Sequence, residues 1–577
     1  MTIYLLYDTI KFTKKYGDYM KLLFAAVNAK YVHTNLAMRY LKKVSEDLCQ
    51  CELKEYSIND NILSVERDIV LSKPDIVAFS CYIWNVSFIL TLADNIKKAM
   101  PECIVVFGGP EVSYDTIELL DKHTFIDYVI KGEGEVVFPS LINHIVNGTD
   151  IPQKGLSYRI NNDIIDTPWG ISPDFSQIPF PYTKEELKEL SGRIIYYESS
   201  RGCPYSCKYC LSGEKGRVRF KDVESVLTDL KFFSDNRVSL VKFVDRTFNA
   251  DKKRALAIWK GIAKLNTNTR FHMEITGEIL DEDTLKLLQD VNPENLQFEI
   301  GVQSTNPQTL DAIDRKCKVE KLFENITYLL KNTDIHIHLD LIAGLPYEDF
   351  ASFKKSFNDV VSLRPHVLQL GFLKLLKGSA MRDESSKYNM VYRNNAPYEI
   401  ISNEFLSCEE IFFLKDVDYV FDKFYNSGSF SKTIGFLFEK YNDRFEIFAD
   451  IVKYFRNNNL INTSLSKQRL YDVLYECFSD FGTSFEEALR YDIIYSMHIG
   501  KLPYWCNTDN NFTSSQEVYD FLKDEDAKLK IIPHMTNIPA KSIIKHIRIE
   551  KFSYGILLFD YKNDTVYDVT DFIKSEN

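Results

Sequence analysis

Ten short apolar runs, most of them followed by helix-like stretches, constrain the fold of this 577-residue chain more than any other feature. They are LLFAAV (22–27), DIVAFSCYIW (75–84), CIVVFGG (103–109), YVIKG (128–132), IIYYESS (194–200), LVKFVD (240–245), FHMEIT (271–276), LQFEIG (296–301), HIHLDLI (336–342) and VLQLGFL (367–373). Strands that alternate with helices form parallel sheets covered on both faces. The first four runs predict an α/β domain with a doubly wound parallel sheet. The other six predict a partial (β/α)6 TIM-like barrel, whose reactive residues would lie at the C-terminal ends of its strands.

The length of the chain predicts several domains. We expect an N-terminal extension (1–19), a first α/β domain (20–150), a proline-rich linker (151–189), a barrel domain (190–395) and a C-terminal domain (396–577). The extension does not follow the alternating pattern, so translation could start at Met1 or at Met20. The C-terminal domain is expected to be mainly α-helical with a small β element near its end.

Composition argues against two classes of partner. The formal net charge of −12 argues against broad binding to phosphates, and therefore against nucleic acid. No run approaches 18 uncharged apolar residues and the N-terminus does not resemble a signal peptide, so we expect a cytoplasmic protein without membrane contact. Disulfides are rare in that compartment, so most of the eleven cysteines are expected to be small buried side chains.

Cys203, Cys207 and Cys210 are the exception, because they share one short loop, RGCPYSCKYC, just after a predicted strand. Thiolates at these spacings can each bind a different iron of a cubane, which leaves the fourth iron open for the amino and carboxylate groups of a substrate. The alternative is a structural zinc site. Zinc takes four ligands, however, and no fourth Cys or His lies nearby in the sequence.

The CxxxCxxC loop, with Tyr209 before its last cysteine, resembles the radical S-adenosylmethionine (SAM) superfamily. The segments FEIGVQS (298–304), HLDLIAGLPYED (338–349) and LQLGFLKLLKGSAM (368–381) are similar to later strand motifs of that superfamily, in its oxygen-independent coproporphyrinogen oxidase and methylthiotransferase branch. The resemblance covers roughly residues 190 to 385. It implies a 4Fe-4S cluster on the three cysteines and SAM at the open iron, with Tyr209 beside the adenine.

The same resemblance implies further contacts with SAM. Glu299 and Ser304 would lie near the ribose and methionine end, and Gly344 and Pro346 would shape the loop that passes the adenine. Glu274, at the end of the third barrel strand, is another candidate polar contact. Each carboxylate could instead pair with an Arg or Lys inside the barrel, and the glycine could serve only a tight turn. The usual Gly-Gly-Glu run after the second barrel strand is replaced by FVDRTFN (243–249), in which Asp245 could take its place.

The first domain looks like the cobalamin-binding domain that precedes one large radical SAM branch. The similarity implies cobalamin contacts from residues after successive strands, namely Ser80, Gly108, Gly109, Gly132 and Glu133. These residues could also be strand-end turn residues only. Domains with a DxHxxG motif use its His as the lower cobalt ligand, and His33 lies near that place without the Asp and Gly. His33 could instead be a helix-start residue bonded to backbone.

Together these features are similar to a cobalamin-dependent radical SAM enzyme of a subgroup with an uncharacterised C-terminal domain. The resemblance implies a 5′-deoxyadenosyl radical and, as the expected outcome, methylation of an unactivated carbon. The alternatives are a radical rearrangement or cyclisation, a methylthiotransferase with a second cluster in the first domain, or a non-catalytic iron-sulfur protein. The expected partners are a small-molecule or peptide substrate and an electron donor such as flavodoxin or ferredoxin.

Overall fold

The computed structural model describes residues 20–160, 163–212, 218–498, 502–506 and 512–573. The predicted N-terminal extension, residues 1–19, lies outside these described residues. The chain divides into two compact units: residues up to Asp349 with Gly371–Ser407, and Phe350–Leu370 with Cys408–Asn577. Within the described ranges, no helix is both long enough and apolar enough to cross a membrane.

The first unit contains a seven-stranded sheet. Its strands are β1 Lys21–Asn28, β2 Gln50–Ser57, β3 Ile76–Ser80, β4 Ile104–Gly108, β5 Tyr128–Ile130, β6 Leu156–Ile160 and β7 Asp163–Asp166. Their spatial order is β2-β1-β3-β4-β5-β6-β7, with β1 to β5 parallel. The strand order reverses beside β1, and ligands of such sheets bind outside the strand ends at this reversal. The predicted doubly wound parallel sheet is confirmed.

Both faces of this sheet are buried because helices cover it. The helices are Leu36–Lys43, Ile62–Ser72, Val86–Ala99, Thr116–Lys122 and Gly134–Asn147. Alternate residues of β1 belong to two different core clusters: Leu23 and Ala25 to one, Leu22 and Phe24 to the other. A strand with apolar residues on both faces therefore reads as the continuous apolar run seen in the sequence.

Strands β6 and β7 lie in the segment predicted to be a linker. Each pairs antiparallel with its neighbour, so the two strands extend the first sheet beyond β5. The prolines Pro152, Pro168 and Pro173 all lie outside the two strands, in keeping with the lack of a donor N–H in proline. The linker segment thus carries secondary structure that its proline content did not indicate.

The second sheet has six strands in the order β8-β11-β12-β13-β14-β15. In chain order this part of the protein contains β8 Ile195–Tyr197, β9 Ser200–Arg201, β10 Arg219–Phe220, β11 Leu240–Phe243, β12 Arg270–Ile275, β13 Leu296–Gln303, β14 His336–Ala343, β15 Val367–Phe372, β16 Val391–Tyr392 and β17 Ile400–Ser402. Its helices in the first unit are Lys184–Glu189, Val223–Asp235, Lys252–Ala263, Glu282–Asp290, Pro307–Ala312, Val319–Asn332 and Ala380–Asp383. All six predicted barrel strands are present, and the partial barrel is confirmed.

Apolar and polar or small residues alternate strictly along β13, so the two faces of this sheet differ in polarity. Phe298 and Ile300 are buried, whereas Glu299 and Gln303 between and beyond them are only half-buried. Because successive side chains of a strand point to opposite faces, the polar residues all share one side. That side carries the candidate site.

The second unit is mainly helical. Its helices are Phe350–Val361, Cys408–Phe421, Ser431–Lys440, Arg444–Asn457, Lys467–Phe478, Thr483–Met497, Gln516–Lys523, Glu525–Ile531 and Ala540–Ile543, with a π-helical turn at Asp422–Asn426. Phe357 packs edge-on against Phe421, Phe445 and Phe448, so much of the aromatic content is core. An antiparallel sheet of β18 Ile547–Phe552, β19 Gly555–Asp560 and β20 Thr565–Asp568 completes the unit. The expected α-rich domain with a small β element is confirmed.

Candidate functional site

The cysteine loop follows β9 and is held by backbone contacts within the first unit. Gly202 begins it with a φ of 95°, a conformation that favours glycine. The Lys208 N–H donates to the Ile313 carbonyl at 3.0 Å, and its own carbonyl accepts from the Met381 N–H at 2.9 Å. The loop is therefore anchored at Lys208, directly after Cys207.

The three thiols line one cavity of about 190 Å³ at the polar face of the second sheet. Cys203 Sγ lies 3.4 Å from Thr247 Oγ1, and Arg315 Nη1 donates to Cys207 Sγ at 3.9 Å. Cys210 is exposed, and its sulfur accepts from the Ser212 N–H. Burial raises the pKa of the Cys207 thiol, and the guanidinium of Arg315 works against that rise. We call this space the cysteine cavity.

The donor set of the cysteine cavity fits an iron-sulfur cluster with an open iron. As the side chains stand, no group of three or more His, Cys, Asp or Glu residues in the described parts of the chain could hold a metal ion. A cubane does not need its thiolates to converge on one ion, because each binds a different iron. Gln303 Oε1, also in this cavity, is buried without a hydrogen-bond partner among the described residues, so it offers an acceptor to a ligand.

The carboxyl groups predicted to contact SAM differ in their environments. Glu274 lines the cysteine cavity, and burial raises its pKa to about 7. Glu299 also lines it, but its Oε2 lies 3.0 Å from both Lys242 Nζ and His272 Nε2. Burial opposes ionisation of Glu299, yet these two partners outweigh it and lower the pKa to about 2. Glu299 thus forms the ion pair with a lysine inside the barrel that the sequence offered as the alternative to SAM contact.

Tyr209 lines the cysteine cavity as well, but four other predicted residues do not. Asp245 is fully buried and accepts hydrogen bonds from the Ser199 N–H, the Ser199 hydroxyl and the Ser200 hydroxyl at 2.6–2.7 Å. The structure therefore gives Asp245 a role in holding the strand that precedes the cysteine loop, rather than a place at the cavity.

Ser304, Gly344 and Pro346 lie away from the cavity lining. The Ser304 hydroxyl donates to Glu348 Oε1 at 2.6 Å. Gly344 has a φ of 90°, and a Cβ there would lie 2.8 Å from Ile400 Cγ2, so both conformation and space require glycine. Pro346 is buried two residues later. Gly344 and Pro346 shape the turn after β14, and Ser304 follows β13. The contact of Gly344 and Pro346 with adenine, and that of Ser304 with the ribose and methionine end of SAM, stay predictions.

A second cavity of about 430 Å³ lies at the C-terminal ends of the first sheet's strands. It includes Ser80, Gly108, Gly109, Gly132 and Glu133, which the sequence predicted as cobalamin contacts. Its floor is apolar, with Ala78, Val106, Ile130 and Phe138 from the sheet and the helix Gly134–Asn147. We call it the strand-end cavity.

Two glycines of the strand-end cavity are required by conformation or space. Gly109 has a φ of 107°, and a Cβ there would lie 2.6 Å from the Cys81 carbonyl oxygen. Gly132 has a φ of 75° and lies against the ring of Trp169. The absent side chains let the backbone at these strand ends pack closely against Cys81 and Trp169. The combination of an apolar slot and open strand ends fits a bulky cofactor.

Glu133 is engaged by protein groups. Arg201 Nη1 lies 2.9 Å from its Oε2, and Arg219 Nη1 lies 3.1 Å from the same atom. Arg201 also binds Glu135 through Nη2 at 2.5 Å and Glu198 through Nε at 2.9 Å. This single guanidinium, two residues before Cys203, therefore joins the first domain to the cysteine loop. Sequence reasoning missed Arg201, although its place at a strand end was visible.

His33 is not brought to either cavity. Its Nδ1 lies 2.7 Å from the hydroxyl of Tyr196 on β8, and its backbone bridges to Ile194. Burial lowers the pKa of His33, as do the nearby cations Lys30, Lys242 and Arg193. In this arrangement His33 joins the loop after β1 to the second sheet, and its role as a cobalt ligand stays a prediction.

Comparison with protein families adds independent information. A model described as the B12 binding domain matches residues 22–142, and a model described as the Radical SAM superfamily matches residues 197–360. The chain is a radical SAM protein with a B12-binding domain. A third model, described as a protein of unknown function (DUF4080), matches residues 386–570.

This B12-binding radical SAM protein is similar to curated proteins and to solved structures. It is 27% identical, over 51% of its own length and 46% of the relative, to the 2-(S-pantetheinyl)-carbapenam-3-carboxylate methyltransferase of Streptantibioticus cattleyicolor. The chain spans about half the length of the curated relatives it matches.

Two solved structures share the fold. The cobalamin-dependent SAM radical enzyme OxsB, with aqua-cobalamin and SAM bound, aligns with a TM-score of 0.59 at 15% identity over 83% of this chain and 81% of that one. The radical SAM methyltransferase TsrM from Kitasatospora setae, with cobalamin and a 4Fe-4S cluster bound, aligns with a TM-score of 0.54 at 17% identity over 66% and 76%.

Each cavity of the B12-binding radical SAM protein can be related to one of the two matched regions. The strand-end cavity draws most of its lining from the B12-binding match, and every residue of the cysteine cavity falls within the Radical SAM match. Arg246 lines both cavities. The cavities therefore adjoin each other inside the first unit.

Proposed function

We propose that the chain is a radical SAM enzyme that uses a 4Fe-4S cluster and cobalamin to methylate an unactivated carbon. The observation that carries this proposal is the adjacency of the cysteine cavity and the strand-end cavity, which share Arg246. When bound, the cluster and SAM supply a 5′-deoxyadenosyl radical that removes hydrogen from the substrate, and cobalamin supplies the methyl group.

The residues of the chain hold and orient these groups. Cys203, Cys207 and Cys210 provide the thiolates, and the cation of Arg315 beside Cys207 offsets part of their charge. Arg315 is itself held by the Gly301 carbonyl, so its position is fixed before any ligand enters. Tyr209 lines the same cavity, where its ring would lie beside the adenine of SAM.

SAM would be bound by side chains of the polar sheet face. Glu274, with a pKa of about 7, offers a carboxyl group that can accept from the amino group or ribose. Glu299 would contact SAM while remaining paired with Lys242 and His272. Gly344 and Pro346 would shape the loop that passes the adenine, and Ser304 would lie near the ribose and methionine end. Asp245 supports the cysteine loop from behind.

Cobalamin would occupy the strand-end cavity, next to Ser80, Gly108, Gly109 and Gly132. The Ser80 hydroxyl already accepts from Asn35 Nδ2 at 2.9 Å, so its own proton is available to a ligand. The substrate would be a small molecule or a peptide. An electron donor such as flavodoxin or ferredoxin, and a cytoplasmic location, belong to the same proposal.

The test is product analysis of anaerobically reconstituted protein under reducing conditions. S-adenosylhomocysteine together with 5′-deoxyadenosine supports methyl transfer. 5′-Deoxyadenosine alone indicates a radical rearrangement or cyclisation. If neither product forms while iron and cobalamin are bound, the enzyme proposal is wrong and a non-catalytic role takes its place.

The methylthiotransferase alternative finds no support in the first domain. Cys49 and Cys51 have sulfurs 3.8 Å apart. Cys81 and Cys103, in contrast, belong to the core cluster on the other face of the first sheet from Cys49. The four cysteines therefore do not gather on one side of the sheet as a second cluster would require.

A further inference from the structure

Arg246 lies where the two cavities adjoin, three residues after β11 ends at Phe243. It follows Asp245, whose carboxylate is buried behind the cysteine loop, and it precedes Thr247, whose hydroxyl contacts Cys203. Unlike both neighbours, Arg246 is exposed. Arg246 belongs to FVDRTFN (243–249), the segment that replaces the superfamily's usual Gly-Gly-Glu run, so that motif does not predict a role for it.

Three guanidinium groups line the two cavities, and two of them donate hydrogen bonds to protein acceptors. Arg201 binds Glu133, Glu135 and Glu198. Arg315 donates to the Gly301 carbonyl and to Cys207 Sγ. Arg246 differs: within the part of the chain that the structure describes, its side chain makes no hydrogen bond and no ion pair. Five N–H donors are therefore available at this point.

The acidic groups around Arg246 do not neutralise it by direct contact. Burial raises the pKa of Glu274 to about 7, and the charge of Arg246 partly opposes that rise without a hydrogen bond or ion pair between the two side chains. Glu198 and Glu135, in the lining of the strand-end cavity, are bound to Arg201. A guanidinium presents a planar fork that matches a carboxylate or phosphate. The open fork of Arg246 thus has the chemistry of an anion-binding group.

We propose that Arg246 binds a carboxylate or phosphate group at the junction of the cysteine cavity and the strand-end cavity. Two molecules could bring that group, the substrate and the amino-acid end of SAM, and both present the same chemistry to the fork. The identity of these molecules rests on the proposed function, but the anion site itself does not.

The experiment compares Arg246→Gln and Arg246→Lys with wild type, using the full chain reconstituted with cluster and cobalamin. Arg237→Gln is the matched control, because Arg237 is an exposed arginine in the turn before β11 and lines neither cavity. Dissociation constants are measured for SAM, and for malonate and inorganic phosphate as small oxyanion probes, with SAM present and absent. Thermal melting and cobalamin content verify that the variants are folded.

Loss of the charged fork is expected to weaken oxyanion binding at least tenfold in Arg246→Gln, less in Arg246→Lys, and not at all in Arg237→Gln. If the probes bind together with SAM and the affinity for SAM is unchanged, the site serves the substrate. If SAM displaces the probes and Arg246→Gln weakens SAM binding at least tenfold, the site serves the SAM carboxylate. If Arg246→Gln binds SAM and both probes as wild type does, the inference is overturned.

The outcome is independent of the product assay. Arg246-dependent oxyanion binding in a protein that forms no 5′-deoxyadenosine would contradict the proposed function and leave this site standing. Product formation by wild type, with unchanged anion and SAM affinities in Arg246→Gln, would do the reverse.

Discussion

Replacement of Arg201 by Met tests whether one guanidinium holds the cysteine loop to the first domain. The side chain of Arg201 is 11% exposed, and its partners Glu133, Glu135 and Glu198 are 26%, 9% and 14% exposed. Removing one partner of a buried ion pair leaves an uncompensated charge, which costs about 3–5 kcal/mol. Three carboxylates would be affected here, so Arg201→Met is expected to lower the free energy of unfolding by about that amount or more.

The loss should depend on pH, and Glu133 gives one part of that dependence. Burial opposes its ionisation, but Arg219 and Arg201 outweigh burial and lower its pKa from the ordinary 4.5. A group with a lowered folded-state pKa contributes stability above its unfolded-state pKa and loses it as the pH falls. In Arg201→Met the part of the destabilisation that comes from Glu133 should therefore shrink as the pH falls below about 5. The part that comes from Glu198 should grow as the pH rises through about 7, because burial raises the pKa of Glu198 to about 7 and Arg201 works against that rise.

The assay is urea unfolding of the anaerobic, cofactor-free chain at several pH values, followed by fluorescence. Lys231→Met is the matched control, because the Lys231–Asp235 pair is 64% and 59% exposed and such pairs contribute about 0–1 kcal/mol. A destabilisation by Arg201→Met no larger than that of Lys231→Met, or one that does not change with pH, would refute the argument.

Three further predictions concern the cofactors and the second unit. Cys207→Ala should abolish cluster absorption, iron content and 5′-deoxyadenosine formation, whereas Cys408→Ala, outside both cavities, should keep all three. Gly109→Ala should weaken cobalamin binding at least tenfold by titration of visible absorbance, because its Cβ would meet a carbonyl oxygen at 2.6 Å. Gly148→Ala, with a similar positive φ and open space, should bind cobalamin normally and lose only about 1 kcal/mol of stability. Burial raises the pKa of Asp492 from 3.8 to about 7. Wild type should therefore lose stability relative to Asp492→Asn as the pH rises through that interval, and parallel curves would count against it.

The strands most clearly visible in the sequence were those buried on both faces. β3 and β4 read as continuous apolar runs because their sheet is covered on each side. Strand β2 was not foreseen, since Gln50–Ser57 lies at the sheet edge and mixes charged with apolar residues. Strands β6 and β7 were hidden by the prolines around them.

Some features of the candidate site could likewise be predicted from the sequence, and others could not. The spacing of Cys203, Cys207 and Cys210 predicted the cluster, because all three thiols come from one loop and need no distant partner. The residues after strand ends were also foreseen as a group, because parallel strands end at one edge of a sheet. Which of them were already engaged was not visible, as Glu133 shows with its two arginine partners.

The sequence by itself determined the two parallel sheets, the position of the cysteine loop after the first barrel strand, and the kinds of cofactor these features can hold. Those properties depend on local periodicity and on spacing along the chain, which any reader of the sequence can count. Only the tertiary structure decided that Asp245 lies behind the loop, that Arg201 bridges to Glu133 and Glu135, and that Arg246 is left open at the junction of the cavities. Ion pairs and hydrogen bonds between residues tens of positions apart form only after the sheets have brought them together, so no local pattern records them.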